Sequence, residues 1–134
     1  MILLIIPFLM NAQTENTDEG FSNWHMNYDT AIMEAKKDKK NLLVYFTGSD
    51  WCGPCKMMNK TTFHDPAVVD YINANYYAIK FDAEGPNPVE FKGTEYKNDG
   101  HDPAKTGRNS THDLTKAIAP VKGRIAYPTI VYMD

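Results

Sequence analysis

A pair of cysteines, Cys52 and Cys55, constrains this chain more than any other feature of its sequence. They are the only cysteines among 134 residues, and a Gly-Pro dipeptide separates them. The segment just before them, 42–47, is a continuous apolar, aromatic and β-branched run, which is typical of a strand buried on both faces. Because proline fits well in a first helical turn, the sequence predicts a helix that begins at about Cys52 and runs past Met58. The two sulfurs are therefore expected at a strand-to-helix junction.

This position predicts a redox role for the two thiols. The N-terminus of a helix presents unpaired backbone N–H groups and the positive end of the helix dipole. A thiolate there is stabilised, so its pKa falls from about 8.5 toward 7 or lower. We expect Cys52 to be the exposed cysteine that attacks a substrate disulfide, and Cys55, one turn further on, to resolve the mixed disulfide. The predicted function is an oxidoreductase that reduces or isomerises protein disulfides through this dithiol and needs no cofactor.

A Cys-x-x-Cys pair can also bind a metal or form a structural disulfide. Half of a zinc site would need a second such pair, which the sequence lacks, and the four histidines show no paired metal-ligand spacing. No metal site is therefore predicted, although copper handling or a non-catalytic protein-binding role stays open as the alternative. A purely structural disulfide is disfavoured because so short a loop stabilises little. The histidines are His25, His64, His101 and His112, and His112 is interpreted as a surface residue at a helix start.

The remaining periodicity predicts an α/β fold, with a central mixed sheet flanked by helices. The predicted helices are 28–38, a segment starting at Asp65-Pro66 with Val68, Val69 and Ile72 facing inward, and a segment capped by Ser110 or Thr111 that ends at Ala119. The predicted strands are 76–82, 129–133 and a small hairpin formed by 89–91 and 94–96.

The N-terminus differs from the rest of the chain. Residues 1–10 form an apolar run that is too short to span a bilayer but suits the core of a signal peptide, with Ala12 as the cleavage residue. A buried N-terminal strand or helix is the alternative. The sequence predicts a signal peptide over 1–12, a polar segment over 13–23, and export to the periplasm or another extracytoplasmic compartment.

Charge and length limit the partners. The formal net charge is -3, and the one dense basic stretch, 36–40, is interrupted by an acidic residue. Such a run is typical of the solvated end of a helix, so nucleic-acid binding is not predicted. The length suits a single domain, and we expect a monomer.

Segment 46–56, with the sequence Phe-Thr-Gly-Ser-Asp-Trp-Cys-Gly-Pro-Cys-Lys, resembles the active-site segment of the thioredoxin superfamily. Its Gly-Ser-Asp-Trp-Cys form is closer to exported bacterial thioredoxin-like proteins than to cytosolic thioredoxin, and the resemblance extends from about Trp24 to the C-terminus. It implies a thioredoxin-like fold, disulfide-bonded protein substrates and an upstream membrane or soluble thiol reductant. It also implies that the active-site motif around the two cysteines comprises Trp51, Gly53, Pro54 and Lys56.

The same resemblance assigns a second segment to the site. Tyr127-Pro128-Thr129 matches the family's cis-proline segment, which opens the strand facing the active site. The resemblance implies that these three residues bind substrate. The Tyr127 backbone would hydrogen-bond an extended substrate segment, and Pro128 would keep metals away from the thiols.

The chain departs from the family in three ways. Thioredoxin buries an acid and a lysine that assist proton transfer, and the alignment of strands puts Tyr45 and Ala78 at those positions. Deprotonation of Cys55 is then expected to rely on water, on Tyr45 or on Asp50. The domain over 24–134 is also expected to contain an insertion at about 83–109 that shapes partner choice, and to end before the last hairpin strand and C-terminal helix of a complete fold.

Overall fold

A four-stranded mixed sheet forms the centre of the computed structural model, which describes residues 20–134. Its strand order is β1-β3-β2-β6, in which β1 and β2 run parallel to β3 while β6 is antiparallel to β2. A separate antiparallel hairpin consists of β4 and β5. The strands are β1 (Trp24–His25), β2 (Asn41–Thr47), β3 (Tyr76–Asp82), β4 (Val89–Phe91), β5 (Thr94–Tyr96) and β6 (Thr129–Met133).

Helices cover both faces of this sheet, so the predicted α/β architecture is confirmed. The caps follow local chemistry: the Asn27 side chain accepts the Thr30 N–H, and the Asp65 carboxylate accepts two N–H groups of the next helix. The helices are α1 (Tyr28–Asp38), α2 (Gly53–Lys60), a 3-10 turn (Thr62–His64), α3 (Pro66–Asn75) and α4 (Asp113–Ile118). Within residues 20–134, none of the helices has the length and apolar character needed to cross a membrane. The predicted signal peptide and most of the predicted polar segment lie outside the described residues.

Strand β2 is the middle of the core, as its continuous apolar sequence predicts. Six of its seven residues are buried, and only Asn41 is exposed. Val44 and Phe46 pack with α1 and the hairpin on one face, whereas Leu43 and Tyr45 pack on the other. Because both faces of β2 are covered, the register of this strand is strongly specified. The turn that follows Thr47 therefore begins at a defined place in the structure.

The second face is rich in aromatic contacts that sequence periodicity did not reveal. The ring of Tyr45 stacks on Trp24 at 5.6 Å and lies 4.8 Å from the ring of Phe63. Ile72 of α3 completes this cluster, with Val68 and Val69 packed against it, which confirms the predicted inward face of α3. β1 is two residues long and was not predicted, because so short a strand forms only through its pairing with β3.

The predicted cap of α4 is wrong by one to two residues. His112, rather than Ser110 or Thr111, caps the helix, and its Nδ1 accepts the Leu114 N–H at 3.1 Å. The predicted hairpin, in contrast, is confirmed. Lys92 and Gly93 both have positive φ, the conformation that a two-residue hairpin turn requires.

His112 is also fully buried, so its interpretation as a surface residue is wrong. Its ring packs edge-on against Phe81 of β3 at 5.0 Å, and its Nε2 lies 3.1 Å from the Asn87 carbonyl oxygen. With Nδ1 accepting and Nε2 donating, both ring nitrogens are satisfied in the neutral imidazole. These contacts come from β3 and from the segment between β3 and β4, and a local sequence pattern does not indicate them.

This burial makes stability depend on pH. Desolvation lowers the pKa of His112, and Lys116 acts in the same direction, against the opposing effects of the Asn87 carbonyl, Asp113 and Asp82. Since the unfolded chain binds the proton more readily, the contribution of His112 is complete above about pH 6.5 and is lost as the pH falls below that value. We expect urea unfolding to give a lower free energy of unfolding at about pH 5 than at neutral pH.

A His112→Asn variant provides the control, because asparagine retains a capping oxygen without a titratable ring. Its free energy of unfolding should change less between the two pH values. An equal change in the variant and the parent protein would show that other groups cause the pH dependence.

Candidate active site

The two cysteines form a disulfide at the start of α2, with their Cα atoms 5.3 Å apart. Cys52 is the N-cap of this helix, and its Sγ accepts the Cys55 backbone N–H at 3.3 Å. The Cys52 carbonyl oxygen accepts the Lys56 N–H at 3.1 Å, which is the first hydrogen bond of the helix. The predicted strand-to-helix junction is therefore confirmed, and the first sulfur lies against the unpaired amides of a helix N-terminus.

The expectation that Cys52 is the exposed cysteine is wrong for this disulfide form. Cys52 is 1% exposed and Cys55 is 3% exposed. The turn after β2 closes over the pair, and Gly48 allows this close approach. A Cβ at Gly48 would lie 2.6 Å from the Trp51 ring and 3.1 Å from the Cys52 Cβ. A side chain at this position would therefore force the turn away from the disulfide.

A cavity of about 190 Å³ reaches both cysteines. Its lining includes Asp50 of the turn, together with Lys80 and Asp82 of β3. Lys80 and Asp82 were not predicted, because the comparison with thioredoxin points to Ala78 as the position of the missing lysine. Alternation along β3 puts these two side chains on one face, but only the register of β3 against β2 brings that face to the cysteines.

Tyr45 lies beneath the cysteine pair. Its hydroxyl donates to the Cys55 carbonyl oxygen at 3.3 Å, and burial raises the pKa of Tyr45 to about 12. The phenol is therefore protonated at neutral pH. It ties α2 to the sheet, and it is not suited to accept the proton of Cys55. The proton of Cys55 was expected to leave through water, Tyr45 or Asp50, and this geometry agrees with water or an acidic group.

The edge of the Trp51 indole is anchored by a buried carboxylate. The Trp51 Nε1–H donates to Glu84 Oε2 at 2.8 Å, and the Asn109 backbone N–H donates to the same oxygen at 3.0 Å. Glu84 is 3% exposed. This carboxylate therefore joins the active-site turn to the loop that follows β5, and no local sequence pattern indicates that the three groups lie together.

The same indole also contacts a charged group and an aromatic ring. The Arg108 guanidinium carbon lies 4.4 Å from the centre of the Trp51 ring, and the Tyr127 ring centre lies 6.0 Å away. Arg108 is exposed, whereas Trp51 and Tyr127 are half-buried. The loop after β5 thus places a cation directly beside the residue that precedes Cys52.

The Tyr127–Pro128 peptide bond is cis, and Thr129 opens β6 opposite Phe46 of β2. Since β2 leads into the active-site turn, this pairing brings the proline segment to the same end of the sheet as the disulfide. The Thr129 hydroxyl donates to the Ala126 carbonyl oxygen at 2.7 Å. The substrate-binding role expected for Tyr127, Pro128 and Thr129 stays a prediction.

The other residues of the predicted motif lie on the outer surface of the first turn of α2. Gly53, Pro54 and Lys56 are exposed, and a Cβ added at Gly53 would meet nothing within 4 Å. Among residues 20–134, no group of three or more His, Cys, Asp or Glu side chains is arranged to hold a metal ion.

The indole–carboxylate contact can be measured by a double-mutant cycle. Trp51→Phe removes the N–H donor and leaves the buried Glu84 carboxylate with one hydrogen bond fewer. We expect it to lower the free energy of unfolding of the disulfide form by about 1–3 kcal/mol. Combination with Glu84→Gln should give a coupling energy of about 1 kcal/mol, measured by urea unfolding of the single and double variants. A coupling energy near zero would show that the contact does not connect the loop to the turn.

Comparison with known proteins agrees with this geometry. The thioredoxin-like family model matches residues 23–134. The thioredoxin-related protein DsbJ of Chlamydia pneumoniae is 31% identical over 80 residues, which cover 60% of this chain and 22% of that protein. The thiol:disulfide interchange protein DsbD of Campylobacter jejuni is 29% identical over 106 residues, which cover 70% of this chain and 18% of that protein. The chain thus spans about a fifth of the length of these relatives. With its mixed sheet and its cysteine pair at a helix start, the chain belongs to the thioredoxin-like family.

Proposed function

We propose that this chain is a thiol–disulfide oxidoreductase that reduces or isomerises protein disulfides through Cys52 and Cys55. The observation that carries the proposal is the contact between the Cys55 N–H and the Cys52 sulfur at the start of α2. In the reduced protein the same amide would stabilise the Cys52 thiolate, which is the nucleophile of thiol–disulfide exchange. Two relatives, one a thioredoxin-related protein and the other a thiol:disulfide interchange protein, support this assignment.

The reaction follows from the position of the two sulfurs. The Cys52 thiolate attacks one sulfur of a substrate disulfide, that disulfide breaks, and the leaving thiolate takes a proton from water. Cys55 then loses its proton and attacks the Cys52 sulfur, so the mixed disulfide breaks and the second substrate thiol leaves. The substrate gains two electrons and two protons, and the protein ends as the Cys52–Cys55 disulfide. A separate thiol reductant returns the pair to its reduced form.

The cavity beside the disulfide is the proposed exit for the Cys55 proton. It contains both a cation, Lys80, and two carboxylates, Asp50 and Asp82. The Asp82 carboxylate accepts the Ser49 hydroxyl and the Glu84 N–H, which fixes its position in the cavity wall. A proton that leaves Cys55 therefore reaches water or a carboxylate in this cavity, and the nearby lysine favours the thiolate that remains.

We also propose that the protein acts outside the cytoplasm. The apolar run at 1–10 supports this location, because it has the length and composition of a signal-peptide core. Protein disulfides persist in oxidising compartments, so substrates would be present there. Continued reduction in such a compartment requires electrons from an upstream thiol reductant.

Insulin reduction with dithiothreitol tests the catalytic assignment. We expect turnover by the parent protein, loss of turnover in Cys52→Ser, and accumulation of a mixed disulfide in Cys55→Ser because the resolving thiol is missing. Met33→Leu, an exposed change on α1, serves as the control and should leave turnover unchanged. Turnover in Cys52→Ser at the parent rate would refute the proposal.

We expect the positive and negative groups of the cavity to shift the pKa of Cys55 in opposite directions. In a Cys52→Ser background, where Cys55 is the single thiol, Lys80→Met should raise its pKa because a nearby cation stabilises a thiolate. Asp82→Asn should lower this pKa, since it removes a nearby negative charge. The pH dependence of alkylation by iodoacetamide measures both effects, and Lys60→Met at the far end of α2 is the control. Shifts of the same sign, or none, would exclude these residues from proton transfer.

A further inference from the structure

We propose that Arg108 makes the active site selective for disulfides that carry a negative charge close to the reacting sulfur. This inference rests on the proposed function of Cys52 and Cys55, and it assigns a substrate preference to the same site. It concerns a residue of the loop after β5, to which neither the motif nor the reaction scheme gives a role.

The Arg108 cation lies beside the residue that precedes the attacking cysteine. The Arg108 guanidinium lies 4.4 Å from the centre of the Trp51 ring, and Trp51 directly precedes Cys52. The Tyr127 ring, next to Pro128, contacts the same indole at 6.0 Å. A substrate segment that reaches Cys52 beside the proline segment therefore has to pass close to Trp51 and the exposed guanidinium.

Within residues 20–134, Arg108 has no carboxylate partner, since none of the three ion pairs there includes it. The buried Glu84 carboxylate accepts hydrogen bonds from the Trp51 indole and the Asn109 backbone instead. The positive charge of Arg108 is therefore available to an incoming anion.

The contact with Trp51 preorganises the Arg108 side chain. A guanidinium stacked on an aromatic ring keeps its N–H donors in its own plane, where they match the geometry of a carboxylate. Stacking also restricts a long side chain before binding, so less conformational entropy is lost when an anion binds. The hydrogen bonds from Trp51 and Asn109 to Glu84 hold the indole and the loop that carries Arg108 in this arrangement.

Two small disulfides of opposite character test the proposal. Dithiobis(nitrobenzoate) carries two carboxylates, whereas dithiodipyridine is uncharged at neutral pH, and both release a coloured thiol or thione. The Cys52 thiolate attacks one probe sulfur and breaks the probe disulfide, and Cys55 then displaces the second aromatic thiol. Each turnover reduces the probe by two electrons and leaves the Cys52–Cys55 disulfide, so stopped-flow absorbance follows the whole reaction of the fully reduced protein.

The measured quantity is the rate constant for the anionic probe divided by that for the neutral probe. A general change in the reactivity of Cys52 affects both rate constants and leaves this ratio unchanged. We expect Arg108→Met to lower the ratio of the anionic to the neutral probe about three- to fivefold, the effect of an exposed ion pair. Arg108→Glu should lower it further, and added salt should reduce the ratio in the parent protein but not in Arg108→Met. Lys105→Met, an exposed change in the same loop, should leave the ratio unchanged.

The outcomes separate this inference from the proposed function. If Cys52-dependent reaction persists while Arg108→Met and Arg108→Glu keep the parent ratio, the selectivity proposal is overturned and the dithiol assignment stands. An equal fall in Lys105→Met also overturns it, since the effect would then come from the general charge of the loop. If the parent protein and Cys52→Ser react alike with both probes, the dithiol assignment itself fails, and the selectivity proposal fails with it.

Discussion

The hydrogen bond from the Cys55 amide to the Cys52 sulfur is the interaction on which the rest of the site depends. It exists because β2, buried on both faces, ends at Thr47 and leads into a turn that starts α2 at the first cysteine. The carbonyl oxygen of Thr47 also accepts the Ala83 N–H at 2.8 Å, so the ends of β2 and β3 are joined beside the site. The chemistry of the sulfur is therefore set by backbone geometry, and the buried strand determines that geometry.

The loop after β5 adds further contacts to the active-site turn. In this loop, the Asn109 backbone N–H donates to Glu84, and the Arg108 guanidinium lies over the Trp51 ring. His112, where the loop leads into α4, packs against Phe81 of β3. A buried carboxylate at the edge of the indole and a cation on its face give the residue before Cys52 a fixed environment. Under the proposed function, local charges there would influence both the ionisation of the Cys52 thiol and the approach of charged substrates.

The elements close to the cysteine pair were predictable because their signals are local. The apolar run of β2, the proline in the first turn of α2 and the hairpin turn at Lys92-Gly93 each encode one conformation. Features that depend on distant residues were not predictable in the same way. The burial of His112 depends on its contacts with Phe81 and Asn87, which are distant in sequence, and the burial of Cys52 follows from the close approach that Gly48 permits. Lys80 and Asp82 became visible as part of the site only when the register of β3 against β2 was known.

The ionisation of Cys52 in the reduced protein tests the central claim most directly. A Cys55→Ala variant leaves Cys52 as the single thiol, and the ultraviolet absorbance of its thiolate reports the titration. Stabilisation by the helix N-terminus predicts a midpoint clearly below the value of about 8.5 for an unperturbed cysteine. A midpoint at or above that value would contradict the account, because the helix start would then confer no advantage on the attacking sulfur.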